Sequence, residues 1–143
     1  MKIWCVNTNI AKFSKGVMGN KYIAANIVVT QNRVVAWDYK RLTPNLSVID
    51  QGDLVLSYNE SKSIIGVGFA ISNAQNFEVG SFFDKTSEQW IDIDWIWKDI
   101  ENPIRTDSIV KSGKELIYHG IVLPWTNGID TNKLLLEIGK RKI

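Results

Sequence analysis

The segment Ile91–Trp97 (IDIDWIW) alternates large apolar side chains with polar ones. A period of two fits a strand and no helix. Ile91, Ile93, Trp95 and Trp97 then share one face, while Asp92, Asp94 and Lys98 share the other with Ile96 among them. The first set reads as core. Trp90 opens the same strand with the opposite parity to Trp95, which makes it a candidate to escape that core.

The remaining chain is mostly short β-branched runs separated by turn residues, the pattern of an all-β or α+β domain. Ile3–Val6 reads as a first strand. Residues 8–20 are polar, with Gly16 and Gly19, and read as a loop or one short helix. Tyr22–Val29 and Arg33–Tyr39 read as extended segments with a tight turn at Gln31-Asn32. Asp50-Gln51-Gly52-Asp53 is a turn feeding the strand Leu54–Tyr58, and Asn59–Ser63 is a polar hairpin tip. In the returning strand, Ile65, Val67, Phe69 and Ile71 are expected on one face. Gly66, Gly68 and Ala70 are on the other, where something can pack closely. Leu116–Leu123 reads as a strand ended by Pro124, with Trp125 covering the end of a barrel. Asp130-Thr131 caps a last helix, 132–139, with basic residues at its C-terminal end. The expected fold class is α+β: one domain over 1–143, a small curled, mostly antiparallel sheet or barrel of about six strands with short flanking helices.

Chemistry is scarce. Cys5 is the lone cysteine, so an internal disulfide and a multi-cysteine metal site are excluded. His119 is the lone histidine and falls in a predicted strand, where it reads as a structural or surface residue. Cys5 with His119 has no local support as a catalytic pair. Gly66-x-Gly68 lies within a strand and opens no helix, so it is not a dinucleotide fingerprint. Asp92 and Asp94 share a strand face, and a metal-dependent nuclease using the pair is one alternative. No cofactor, resident metal or enzymatic activity is expected. Apolar runs are too short for a membrane helix, and the N-terminus lacks a signal-peptide core, so the expectation is a cytoplasmic protein with no membrane partner. A net charge of +2 neither demands nor excludes nucleic acid.

Of the six tryptophans, Trp95 and Trp97 are explained by the core stripe and Trp125 by the barrel end. Trp37 ends an extended run directly before Asp38, Tyr39, Lys40 and Arg41, and with Trp90 it is the best candidate for an exposed aromatic wall.

Here the sequence resembles a known group. Gln89–Ile100 (QWIDIDWIWKDI), followed by Asn102-Pro103 and Ile104-Arg105, is similar to the YTH-domain strand F-D-V-x-W-I-F that leads into K-D-V-P and L-R-H. Gly52–Tyr58 (GDLVLSY) resembles the G-D-x-V-L-x-Y of EVE domains. Ile64–Gly68 resembles the I-x-G-V/I-x that follows in both groups, and Trp37 resembles the tryptophan that precedes them. The chain departs from the EVE pattern W-x-G-V-R-N, reading Trp37-Asp38-Tyr39-Lys40-Arg41-Leu42, and it has one tryptophan, Trp90, where YTH domains place two.

This resemblance to the PUA-like group implies a non-catalytic reader that holds one extruded, modified base between aromatic walls. Domains of this kind also lead McrB-type restriction motors. The implied partners are therefore nucleic acid, with modified DNA favoured and RNA the alternative, a GTPase or ATPase motor and a nuclease subunit. The expected walls are Trp37 and Trp90, with Tyr58 or Trp4 as a third. Thr8, Asn9, Asp38 and Asn59 are the candidate polar edges, and Lys12, Lys15, Lys21, Lys40 and Arg41 the candidate backbone contacts. A PUA-like RNA-binding module without a base cage, or a protein-interaction module anchored by tryptophans, are the other readings.

Overall fold

The structure, a computed structural model, describes residues 1–8, 28, 30–37, 44–78 and 87–142. Within them the chain builds β1 (Ile3–Asn7), β2 (Arg33–Trp37), β3 (Leu54–Asn59), β4 (Ser63–Ala70), β5 (Gln75–Phe77), β6 (Glu88–Lys98), β7 (Ile104–Arg105), β8 (Val122–Pro124) and a helix α1 (Thr131–Arg141). The strands join into one curled sheet in the order β2-β6-β4-β3-β1-β8, with β5 pairing β6 and β7 pairing β4. The sheet is mixed, because β1 runs parallel to β3 while the other pairings are antiparallel. An α+β curled sheet therefore stands, and the expectation of a mostly antiparallel one is refined at β1.

Several elements follow directly from local chemistry. Gly52 turns at φ +88°, a left-handed conformation that favours glycine. The β3–β4 hairpin turns through Ser61 and Lys62, both at positive φ, as the primed hairpin turns require. Asp130 caps α1 by accepting from Lys133 N at 3.1 Å. Other expectations are corrected. Val28 is helical where an extended segment was expected, and Asn32 makes the turn into β2 at φ +53°. The strand expected over Leu116–Leu123 is reduced to β8, and His119 sits exposed in the irregular stretch before it. Trp125 is buried, and its Nε1 donates to Ile117 O at 3.0 Å.

Both faces of the sheet are buried. One core gathers Trp4, Val6, Val55, Ile65, Ile91 and Ile93 under Leu46 and Ile49. The other gathers Ile3, Cys5, Leu56, Val67 and Trp97 against Trp125 and against Leu134 and Ile138 of α1. Each fully buried Leu or Ile contributes about 1.5–3 kcal/mol.

Two β-bulges decide which residues reach which core. Ser57 pairs with Gly66 but Tyr58 pairs with Ile64, so Ile65 is an extra residue. Gly68 pairs with Trp95 but Val67 pairs with Trp97, so Ile96 is another. An inserted residue flips the parity of everything beyond it. Ile65 and Val67 consequently lie in different cores, as do Ile93 and Trp97, against the simple alternation read from the sequence. The Trp95 ring settles over Gly66, where an added Cβ would come within 2.8 Å of it. That ring is what packs on the small-residue face.

Candidate nucleic-acid interface

β6 carries the site because it is long enough to be flanked twice. β2 pairs it from Glu88 to Asp92, and β5 pairs it from Glu88 to Trp90 on the other side. Ile91 is buried in the first core, so strand alternation sends Trp90 to the opposite face. There Trp90 is half-buried, as its parity suggested. The Arg33 guanidinium lies 4.2 Å from the Trp90 ring centre. The Phe77 ring lies at 4.9 Å, tilted by 52°. Trp90 Nε1 donates to Glu88 Oε2 at 2.9 Å, which fixes the rotation of the indole in its plane. Phe77 is 38% exposed, so the cluster reaches the surface.

The backbone register pairs Trp37 with Glu88 and Val35 with Trp90. Trp90 is thus the diagonal neighbour of Trp37 across the ladder, a Cα spacing of roughly 7–8 Å. The Trp37 side chain lies outside what the structure describes, as do Asn9, Asp38, Lys12, Lys15, Lys21, Lys40 and Arg41.

The other expected pocket residues lie elsewhere. Trp4 is buried in the first core, and its Nε1 donates to Asp53 Oδ2 at 2.9 Å. Asp53 also accepts from Lys2 N and Asp50 N, each at 3.0 Å. Burial alone would raise the Asp53 carboxyl. The three hydrogen bonds and the nearby N-terminal charge together hold it below the ordinary carboxylate value. Tyr58 lies in the second core between Tyr118 and Trp125, its hydroxyl accepting from Lys62 N at 3.1 Å. Thr8 is buried, and its Oγ1 donates to Tyr58 O at 2.6 Å. Asn59 is buried at the end of β3. The structure does not bring Trp4, Tyr58 and Trp90 together, so neither Trp4 nor Tyr58 is a third wall beside Trp90.

Sequence reasoning missed Arg33 and Phe77. Arg33 reads as an ordinary strand-opening charge, and Phe77 sits in a polar stretch with no periodicity to mark it.

The acidic pair is partly spent. Asp92 Oδ1 is 3.7 Å from Arg33 Nε, and Asp92 Oδ2 accepts from Gln75 Nε2 at 3.1 Å. Asp94 is exposed, opposite Phe69. Among the described residues no three His, Cys, Asp or Glu side chains gather as metal ligands would. Cys5 is enclosed, and burial pushes its thiol up, away from the thiolate a nucleophile needs, while His119 is exposed. Among the described residues no helix is long and apolar enough to cross a membrane.

No known family and no curated protein matches this sequence. Among solved structures, the chain is similar to the NMR structure of Rpa0253 from Rhodopseudomonas palustris. The identity is 12%, over 97% of this chain and 92% of that one, with a TM-score of 0.43.

Proposed function

We propose that this chain is a non-catalytic, PUA-like nucleic-acid reader that takes a modified, extruded base against Trp90. The observation that carries this reading is the Arg33–Trp90 stack beside the Trp37 register position. A planar cation covers the indole, and a base is the other flat group that such a face accepts.

Magnitudes favour an exchange. A guanidinium over an indole is worth about 0.5–2 kcal/mol. A base stacked on an aromatic ring is worth about 1–3 kcal/mol. A base can therefore replace Arg33 without net loss, and the freed guanidinium becomes a phosphate contact. Extrusion from a duplex costs a few kcal/mol, so phosphate contacts supply the net affinity and binding falls with salt. A methyl group alone adds about 0.8 kcal/mol, a preference of only a few-fold. The resemblance to EVE and YTH domains supports the same reading through Gly52-Asp53, Ile64–Gly68 and the β6 stretch. It brings with it, as proposed partners, a GTPase or ATPase motor and a nuclease subunit.

Parallel anisotropy titrations test this. Duplexes of one sequence carry 5-methylcytosine, N6-methyladenine or neither, beside an RNA of that sequence. A salt-dependent preference for one modified duplex is expected. Equal binding to all the DNA duplexes with tighter RNA binding would replace the reading with a cage-free RNA module.

A further inference from the structure

We propose that Asp92 selects the base received at Trp90, and that this base carries an exocyclic N–H on the edge remote from its sugar, as cytosine and adenine do and thymine and uracil do not. The inference rests on the base-binding reading and names the ligand class of that same site.

The group now on the indole describes its replacement. Trp90 and Asp92 are two apart on β6, and the pairing to β2 is continuous between them, so they share a face. Arg33 stands opposite Asp92 and diagonal to Trp90. Asp92 N donates to Ser72 Oγ at 3.0 Å and Asp92 O accepts from Ile71 N at 2.9 Å, both away from β2. Arg33 and Asp92 therefore share no ladder bond, and such pairs bring their side chains closest. The result is a flat cation 4.2 Å from the indole centre, with its Nε 3.7 Å from Asp92 Oδ1. A stacked base with an amino edge presents the same two features: a planar group on the ring and an N–H beside the carboxylate.

Arg33 fills this place imperfectly. Its spacing from Asp92 is within ion-pair reach but too long for a hydrogen bond, and Arg33 Nε is buried without one. Gln75 Nε2 donates to Asp92 Oδ2 at 3.1 Å, which orients the carboxylate and leaves Oδ1 toward Arg33. An amino N–H within hydrogen-bond reach of Oδ1 gains a charge-assisted bond that Arg33 Nε does not make. Trp90 Nε1 is engaged by Glu88 Oε2, so the indole offers a base its face and Asp92 offers the edge contact. A cleft of about 670 Å³ opens beside Arg33 and Asp92, which gives the displaced guanidinium room.

The carboxylate also sets the orientation. In cytosine and adenine the exocyclic amino group lies opposite the glycosidic bond. A base that turns this edge to Asp92 keeps its own phosphates on the far side, clear of the negative charge. Thymine and uracil turn a carbonyl oxygen to the same place, acceptor against acceptor. A polar group left unpaired in this way discriminates far more strongly than a methyl group does. 5-Methylcytosine and N6-methyladenine both keep an N–H, so the class includes them.

The test measures the anisotropy of fluorescein-labelled duplexes titrated with the full chain. One target base stands opposite an abasic site, which lowers the cost of extrusion. The probes form two pairs. 5-Methylcytosine and thymine carry the same methyl group and differ in amino against carbonyl. N6-methyladenine and N6,N6-dimethyladenine differ in the last exocyclic N–H. In at least one pair the N–H-bearing member should bind about tenfold tighter, the scale of one hydrogen bond to a charged group. Asp92→Asn offers both an acceptor and a donor at the same place and should bring that ratio close to unity. Equal affinity within both pairs would overturn the proposal, and so would an unchanged ratio in a folded Asp92→Asn. Trp90→Ala separates the two levels of the argument. If it weakens all four probes while the members of each pair bind equally, the base reading stands and the role of Asp92 falls. If it weakens none, the base reading itself fails and this inference with it. Should Asp92→Asn not fold by circular dichroism, the two pairs measured on the parent decide alone.

Discussion

The Arg33 guanidinium lies over the Trp90 ring, 4.2 Å from its centre, so a cation occupies the face on which the proposed base would stack. Arg33→Ala should therefore uncover the indole. The expected result is stronger acrylamide quenching of tryptophan emission, with a stability loss of about 0.5–1 kcal/mol, the range for a partly exposed cation–π pair. Unchanged quenching would mean that the guanidinium does not shield Trp90 in solution.

Gly66 is the seat of Trp95, and a Cβ there would meet the ring at 2.8 Å. Gly66→Ala should cost about 1–3 kcal/mol through overpacking. A double-mutant cycle in urea with Trp95→Leu should recover part of that loss, because the obstructing ring is gone. Strict additivity would show that the contact carries no energy.

Asp53 ties the chain's start to β3 by accepting from Lys2 N, Trp4 Nε1 and Asp50 N. Its carboxyl titrates lower in the folded protein than an ordinary aspartate does. The stability it contributes is therefore fully present above about pH 4, the unfolded value, and is lost as pH falls through the lower folded value. Denaturation midpoints measured from pH 7 down to 2.5 should show Asp53→Asn less stable at pH 7 and less sensitive to acid. Parallel curves for the two proteins would place the acid sensitivity elsewhere.

Gln89 is fully buried and holds the turn before β3 to β5 and β6. Its Oε1 accepts from Leu46 N at 2.7 Å, and its Nε2 donates to Ser47 Oγ at 2.9 Å and Asn76 Oδ1 at 3.0 Å. Gln89→Leu leaves Leu46 N buried without an acceptor, at a cost of about 1–3 kcal/mol. Faster hydrogen exchange at Leu46 N should accompany the loss. Protection equal to wild type would show that Gln89 does not hold the turn.

Much of this architecture was legible because the signals are local. The turn at Gly52, the hairpin tip at Ser61-Lys62, the Asp130 cap and the escape of Trp90 from the core all follow from residues within a few positions of one another. The bulges at Ile65 and Ile96 were not legible. An apolar residue that slips out of register leaves no mark in composition, and its effect appears only beyond it, where Val67 and Trp97 change core. The parallel β1–β3 pairing was hidden for a related reason: nothing in Ile3–Asn7 distinguishes a parallel partner from an antiparallel one. At the site, Trp90 was found by parity. Arg33 was missed because its importance comes from the strand opposite, and Trp4 was misassigned because its Nε1 partner, Asp53, lies 49 residues away.

In the proposed reading the Trp90 ring is the surface that receives a base. Trp90→Ala should be titrated with the preferred modified duplex and its unmodified twin, after circular dichroism shows that the sheet is intact. The expected result is about a tenfold loss of affinity, the ~1–3 kcal/mol of one stacked base, together with loss of the preference between the two duplexes. A folded variant that binds both duplexes as the parent does would contradict the assignment.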